Sequence, residues 1–126
     1  MTVTKKHVLV VDDEPLLVRL NKRRLEDDGY SVSVTTTSLD ALDLVTINPG
    51  KYDLLLTDLT MPGLSGRELI QKILLLVPTL PVIVLTGMSD PEIEQELYDL
   101  GVKAILEKPL LDDELVKAVD RVLQVD

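Results

Sequence analysis

Cysteine, tryptophan and phenylalanine are absent from this 126-residue chain, and histidine occurs once, as His7. Without cysteine there is no disulfide framework, no thiolate nucleophile and no thiolate metal site. Zinc fingers, iron–sulfur clusters and cysteine hydrolases are therefore excluded, and a single histidine excludes a histidine-rich metal cage. Basic residues are outnumbered by acidic ones, 13 to 22, for a net charge of −9. Such a surface repels phosphate backbones, so general nucleic-acid binding is not expected. Long hydrophobic runs are missing too. The longest, Ile73 to Val77, falls far short of the roughly 20 residues of a membrane helix. The first residues, MTVTKKHVLVVDDE, pass from four apolar positions straight into acids, unlike the longer core of a secretory signal. A cytoplasmic chain without membrane contact is the expectation.

What is present is enough apolar sequence for a core. Hydrophobic residues make up 45%, charged residues 28%, and the mean hydropathy is +0.19, the balance of a globular domain. The length suits one domain, taken as 1–126, with no linker or low-complexity tract. Short apolar runs recur at His7–Val11, Ser31–Thr35, Asp53–Thr57, Pro81–Leu85 and Ala104–Leu106. Four are rich in Val, Ile and Leu with little alternation, as in strands buried on both faces. The second, SVSVT, alternates and suits a sheet edge.

Helix punctuation fills the gaps. Glu14-Pro15 opens the first helix and Gly29 closes it. Ser38 is the expected cap of the second, which ends before Asn48-Pro49-Gly50. Ser65 and Glu68 have capping-box spacing for the third, which stops before Pro78. Asp90-Pro91 opens the fourth and Gly101 closes it. Asp112, Asp113 and Glu114 place negative charge at the start of the fifth. Leu16, Leu17, Leu20 and Leu25, at helical spacing, read as core. Five strands alternating with five helices predict a three-layer α/β domain with a parallel sheet and right-handed crossovers.

In an open parallel sheet, ligands bind at the carboxyl ends of the strands. Asp12, Asp13 and Glu14 follow the first strand, Asp58 the third, Thr86 and Gly87 the fourth, and Glu107, Lys108 and Pro109 the fifth. Three aspartates converging there repel one another unless a cation sits among them. With oxygen ligands and no soft donor, Mg²⁺ is the expected ion. Lys108 adds a fixed positive charge and Thr86 a hydroxyl donor. Together they form a site for a trianionic phosphoryl group, with an aspartate attacking in line and Gly87 leaving the approach open. Any one of these residues could be ordinary loop polarity; the set together is the signal.

These residues resemble the receiver domains of two-component response regulators. The likeness runs in order through VLVVDDEP, YDLLLTDLTMPGLSG, PVIVLTG and ILEKPL and covers essentially the whole chain. It implies a flavodoxin-like (βα)₅ fold, doubly wound, with strand order 2-1-3-4-5. By this likeness Asp58 is the phosphoacceptor for the phosphohistidine of a histidine kinase or histidine phosphotransfer protein. Asp13 would bind Mg²⁺ directly and Asp12 through water, with the Thr60 backbone carbonyl as a further ligand. Thr86 would bond a phosphoryl oxygen, Lys108 would pair with it, and the Lys108–Pro109 peptide would be cis. Thr60 and Met88 stand where receivers tune dephosphorylation. The implied function is a phosphorylation-controlled switch that assists its own chemistry without being an enzyme in the ordinary sense, with any effector domain outside this chain.

Two departures stand out. Ile105 occupies the fifth-strand position where many receivers carry a switching aromatic. The segment from Pro91 to Gly101 carries Glu92, Glu94, Glu96 and Asp99 but no base, unlike receivers that dimerise there through basic–acidic pairs. Arg19, Lys22, Arg23 and Arg24 cluster on the first helix. They suit a solvated face, and the resemblance adds docking of a kinase or phosphotransfer helix beside it. His7, at the start of a strand, is not expected to act as phosphodonor or ligand. An aspartyl phosphatase is disfavoured because Thr60 stands where such enzymes commonly carry a second aspartate. A nucleotide or flavin module is disfavoured because Asp12-Asp13-Glu14 replaces a phosphate-binding loop. A docking-only receiver, not switched by phosphorylation, is the remaining alternative, with Ile105 in its favour. The chain ends with the fifth helix, which suits a stand-alone receiver, part of a larger regulator or a piece of a hybrid kinase equally.

Overall fold

The protein is described by a computed structural model covering residues 5–61, 63–88, 90–111 and 113–124. Strands and helices alternate throughout: β1 (His7–Val11), α1 (Pro15–Asp27), β2 (Ser31–Thr35), α2 (Ser38–Ile47), β3 (Leu54–Asp58), α3 (Gly66–Leu76), β4 (Val82–Thr86), α4 (Pro91–Leu100), β5 (Ala104–Glu107) and α5 (Glu114–Leu123). The five strands form one parallel sheet in the order β2-β1-β3-β4-β5, as expected.

Side chains of a strand alternate between faces, so each strand contributes to two cores. Val8, Val10, Leu54, Leu56, Ile83 and Leu85 pack on one face with Leu25 of α1 and Leu115 and Val119 of α5. Leu9, Val11, Leu55, Val82 and Val84 pack on the other with Val45 of α2, Leu69 and Ile73 of α3 and Leu97 of α4. Each fully buried aliphatic side chain contributes about 1.5–3 kcal/mol as an upper bound. This explains the absence of polar alternation in β1, β3 and β4. The outer strands differ: every residue of β2 is half-buried, and so are Ala104, Ile105 and Leu106 of β5. β5 reads as a buried strand by composition but lies at an edge, because each edge strand has a neighbour on one side only.

Several boundaries shift from the sequence expectation. β3 and β4 each begin one residue later and run through Asp58 and Thr86, so these two residues end strands rather than follow them. In the ladder Asp58 lies opposite Leu85, and Thr86 opposite Glu107. Thr37, not Ser38, caps α2: its hydroxyl accepts from Asp40 N–H, whereas Ser38 is already helical, buried, and donates to the Leu64 carbonyl at 2.5 Å. Ser65 Oγ accepts from Glu68 N–H, but the Glu68 carboxylate returns to the Ser65 hydroxyl rather than its backbone N–H, so half of the capping box forms. Asp90 caps α4 through two backbone N–H groups, and Gly101 ends it at φ 113°. Asp112 lies outside the described residues.

The leucines of α1 divide. Leu25 is fully buried and Leu17 half-buried, but Leu16 is 75% and Leu20 42% exposed. The inward stripe is Val18, Asn21 and Leu25, at i, i+3 and i+7, which turns Leu16 and Leu20 off the sheet.

Candidate functional site

Parallel strands bring their carboxyl ends to one edge, and there the chemistry-bearing residues gather. Asp12, directly after β1, is buried; its backbone N–H continues the ladder to the Thr35 carbonyl, and its Oδ1 accepts from Glu14 N–H at 3.0 Å. The same carboxylate therefore turns the chain into α1. Asp13, next to it, is exposed. Asp58, at the end of β3, is 7% exposed, and its Oδ1 accepts from Leu59 N–H at 2.7 Å and from Thr60 N–H at 3.4 Å.

One positioning residue leaves almost no mark in the sequence. Gly66, the first residue of α3, has its N–H on the Leu59 carbonyl at 3.0 Å. A Cβ there would lie 2.3 Å from the Asp58 carbonyl oxygen and 2.8 Å from Leu59 Cα. α3 is thus pressed directly against the backbone that carries Asp58. Thr57 Oγ1 also donates to the Asp58 carbonyl, at 2.9 Å. Glycine one residue after a serine cap is the only local signal for this close approach, and it is weak.

Carboxylate oxygens of Asp12, Asp13 and Asp58 lie within 4.8 Å of one another. Lys108 Nζ reaches two of them, donating to Asp12 Oδ2 at 3.1 Å and Asp58 Oδ2 at 3.0 Å. Burial alone would lower the Lys108 pKa, but the hydrogen bonds and charges of Asp58 and Asp12 outweigh it and hold the ammonium above the ordinary lysine value. Three carboxylates against one ammonium leave two formal negative charges on this cluster. The oxygen-only donor set and that residual charge fit a divalent hard cation, whose ligands span about 4.2 Å across an octahedron.

An open cleft of about 580 Å³ lies over this cluster, lined by Asp13, Asp58, Thr60, Thr86, Met88 and Lys108 among others. Thr86 is buried, and its hydroxyl is engaged in the β4–α4 turn: Oγ1 donates to the Met88 carbonyl at 2.8 Å and accepts from Met88 N–H at 3.2 Å. The Lys108–Pro109 peptide is cis.

The other residues singled out in the sequence lie away from this cleft. His7, at the far end of β1, bonds Ser33 Oγ through Nε2 at 2.7 Å and meets Tyr52 edge-on; burial, and then Lys51, lower its pKa against the opposing charge of Asp53. Ile105 is half-buried against the α2–α3–α4 core. On the acidic α4, Glu96 pairs with Arg67 of α3 at 2.7 Å, an exposed contact worth about 0–1 kcal/mol. Arg19 and Arg23 are exposed and Lys22 and Arg24 half-buried, and none forms an ion pair among the described residues.

Comparison with known proteins agrees with this fold. The family described as response regulator receiver domain matches residues 8–120. The transcriptional regulatory protein GlrR of Escherichia coli is 36% identical over 118 residues, covering 94% of this chain and 26% of that protein. The transcriptional regulatory protein FixJ of Bradyrhizobium diazoefficiens is 29% identical, over 96% of this chain and 58% of its own. The sensor histidine kinase RcsC of E. coli is 36% identical, over 84% of this chain and 11% of its own. The chain therefore spans only part of each of these relatives. Among solved structures, the non-phosphorylated HemR receiver domain of Leptospira biflexa superposes with a TM-score of 0.90 at 29% identity, covering 97% of both chains. The chemotaxis protein CheY4 of Vibrio cholerae gives 0.87 at 27% identity, covering 94% of this chain and 99% of the other.

Proposed function

This chain belongs to the response regulator receiver family, and from that premise we propose that Asp58 accepts a phosphoryl group and that the domain is switched by it. Receiver domains are signalling switches of two-component systems rather than enzymes in the ordinary sense. The observation that carries the reading is the buried Asp58 carboxylate beside Asp12, Asp13 and Lys108 at the open edge of the sheet.

In the proposed reaction an Asp58 carboxylate oxygen attacks phosphorus. A P–O bond forms as the P–N bond of a donor phosphohistidine breaks, and the imidazole leaves with its electron pair and takes up a proton. The Leu59 and Thr60 N–H groups on Oδ1 orient the carboxylate for this attack. Asp12, Asp13, Asp58 and the Thr60 carbonyl are the proposed holders of Mg²⁺. When bound, the ion supplies neutralisation of the phosphoryl oxygens. Lys108 then pairs with a phosphoryl oxygen instead of the free carboxylate. The Thr86 hydroxyl exchanges its bond to the Met88 carbonyl for one to the phosphoryl group. That exchange loosens the β4–α4 turn and shifts a two-state equilibrium toward the active form.

The proposed donor is a histidine kinase or histidine phosphotransfer protein, with the output carried by a domain outside this sequence. The relatives that pair a similar segment with a kinase or a transcriptional regulator support this. A cytoplasmic setting is part of the same proposal; no helix among the described residues is long and apolar enough to cross a membrane. A docking-only receiver is the second reading, favoured by Ile105 in place of a switching aromatic.

Intact mass after incubation with phosphoramidate tests both. A single phosphoryl adduct that requires Mg²⁺ and is lost in Asp58→Asn is the expected result. No adduct with either phosphoramidate or a phosphorylated histidine donor leaves the docking-only reading. Full labelling of Asp58→Asn at another residue removes Asp58 from the role.

A further inference from the structure

The sulfur chemistry of this chain rests on three methionines, Met1, Met61 and Met88, because it has no cysteine. Met1 lies outside the described residues; the other two stand in opposite settings. Met61, shortly after β3, is 7% exposed and packs in the α2–α3–α4 core, where its sulfur accepts from Ser38 Oγ at 3.8 Å. Met88, in the β4–α4 turn, is 81% exposed. It lines the acidic cleft with Asp58, Thr86 and Lys108, and its backbone N–H and carbonyl both bond the Thr86 hydroxyl. At that exposure the side chain adds little to any core. Its thioether is a chemical feature of the cleft wall, and among the described residues it is the one sulfur open to solvent.

We propose that Met88 is a site of reversible oxidation by hydroperoxides, and that its sulfoxide slows phosphoryl transfer to Asp58. The second half rests on the function proposed above. In the reaction the thioether sulfur attacks one oxygen of hydrogen peroxide: an S–O bond forms, the O–O bond breaks, and the leaving oxygen takes up a proton and departs as water. Sulfur gives up two electrons and the peroxide takes them; a methionine sulfoxide reductase reverses the change. A thiol beside three carboxylates would be held as the unreactive protonated form, whereas a thioether has no proton to lose and reacts regardless of the surrounding charge. The product replaces a soft apolar group by a polar one whose oxygen carries partial negative charge. The cluster beneath the cleft already bears two formal negative charges, and the arriving phosphoryl group is anionic. A further negative oxygen on the wall opposes its approach. Met61 is protected by its burial, since an added oxygen there requires the close-packed core to open.

Hydrogen peroxide treatment of the full chain, followed by peptide mass mapping and by phosphoramidate labelling with Mg²⁺, tests both halves. The peptide carrying Met88 should gain one oxygen about tenfold faster, or more, than the peptide carrying Met61. The oxidised chain should then take up the phosphoryl group about threefold more slowly, or slower still, and a methionine sulfoxide reductase should restore the rate. Met88→Leu should be labelled equally fast before and after peroxide, which separates Met88 from Met1 and from other effects of the oxidant. If that variant labels poorly, restoration by the reductase carries the comparison. Oxidation of Met61 as fast as Met88, an unchanged or faster labelling rate once Met88 is oxidised, or an equal effect of peroxide on Met88→Leu would each overturn the proposal. An untreated chain that takes no phosphoryl group from any donor removes the Asp58 reading and this inference with it. Labelling that is normal before peroxide and unaltered after it removes this inference alone.

Discussion

Lys108 Nζ lies 3.0 Å from Asp58 Oδ2, and the two residues are 50 positions apart in the chain. The ammonium lies between the carboxylates of Asp12, directly after β1, and Asp58 of β3, which would otherwise face one another uncompensated, and under the proposed function it is also the group that follows charge onto a phosphoryl oxygen. Removing it should therefore have separable effects on stability and on switching.

Lys108→Ala should destabilise the domain by roughly 1–3 kcal/mol in the presence of a chelator, less than the ~3–5 kcal/mol of a fully buried pair because Lys108 is partly solvated. Mg²⁺ should still bind, and should restore part of that loss because it replaces the missing charge. Urea denaturation with and without Mg²⁺ reads both quantities. The variant should respond poorly to phosphorylation; an unaltered active-state response would remove Lys108 from the switch.

Gly66→Ala should cost about 1–3 kcal/mol or more, because its Cβ falls 2.3 Å from a backbone oxygen that cannot rotate away. The displaced atoms belong to Asp58 and Leu59, so the rate of phosphoryl acceptance should drop as well. Gly50→Ala is the matched control, with nothing within 4 Å of the new Cβ, and should leave both unchanged. Thermal unfolding and phosphoramidate labelling of the two variants decide the point.

Thr86→Ala removes the two hydroxyl bonds to Met88, a loss of about 0.5–1.5 kcal/mol for a typical hydrogen bond. Asp58 should still be labelled. What should disappear is the coupling: the Met88 amide resonance, expected to shift on phosphorylation of the native chain, should stay where it is in the variant. A shift of native size would show that Thr86 does not carry the signal into the β4–α4 turn.

His7 gives the fold a pH dependence of definite sign. Its folded pKa is depressed, first by burial, then by Lys51, below the ordinary 6.5. Between that depressed value and 6.5 the unfolded chain binds the extra proton and the folded chain does not, so this contribution is complete above the window and fades as pH falls through it. The stability advantage of the native chain over His7→Gln should therefore shrink from about pH 7.5 to about pH 5.5. Denaturation curves at the two pH values measure it, and an advantage that grows on acidification would contradict the assignment.

Much of the fold was readable in order along the chain because its signals are local. Val8 to Val11 and Leu54 to Leu56 are apolar without alternation because both faces of an inner parallel strand are covered, and Asp90-Pro91 and Gly101 bracket α4 by backbone chemistry alone. The placement of Asp12, Asp13, Asp58 and Lys108 at one edge follows from the same reasoning, since strand ends in a parallel sheet share an edge.

Other features were decided only when the elements packed. Thr37 displaced Ser38 as a cap because Ser38 found a buried tertiary partner at Leu64. Leu16 and Leu20 turned outward because α1 meets the sheet through Val18, Asn21 and Leu25. The closeness of Gly66 to the Asp58 backbone, the engagement of Thr86 with Met88 and the burial of Asn21 on the inner face of α1 likewise depend on how segments are set against one another. By itself the sequence determined the element types, the parallel α/β class and the residues available for chemistry, because periodicity, caps and strand-end composition act over a few neighbouring positions. Tertiary structure alone decided which carboxylates Lys108 reaches and which hydroxyl is held. Those depend on the rotation of each helix against the sheet, which is set by contacts between residues far apart in the chain.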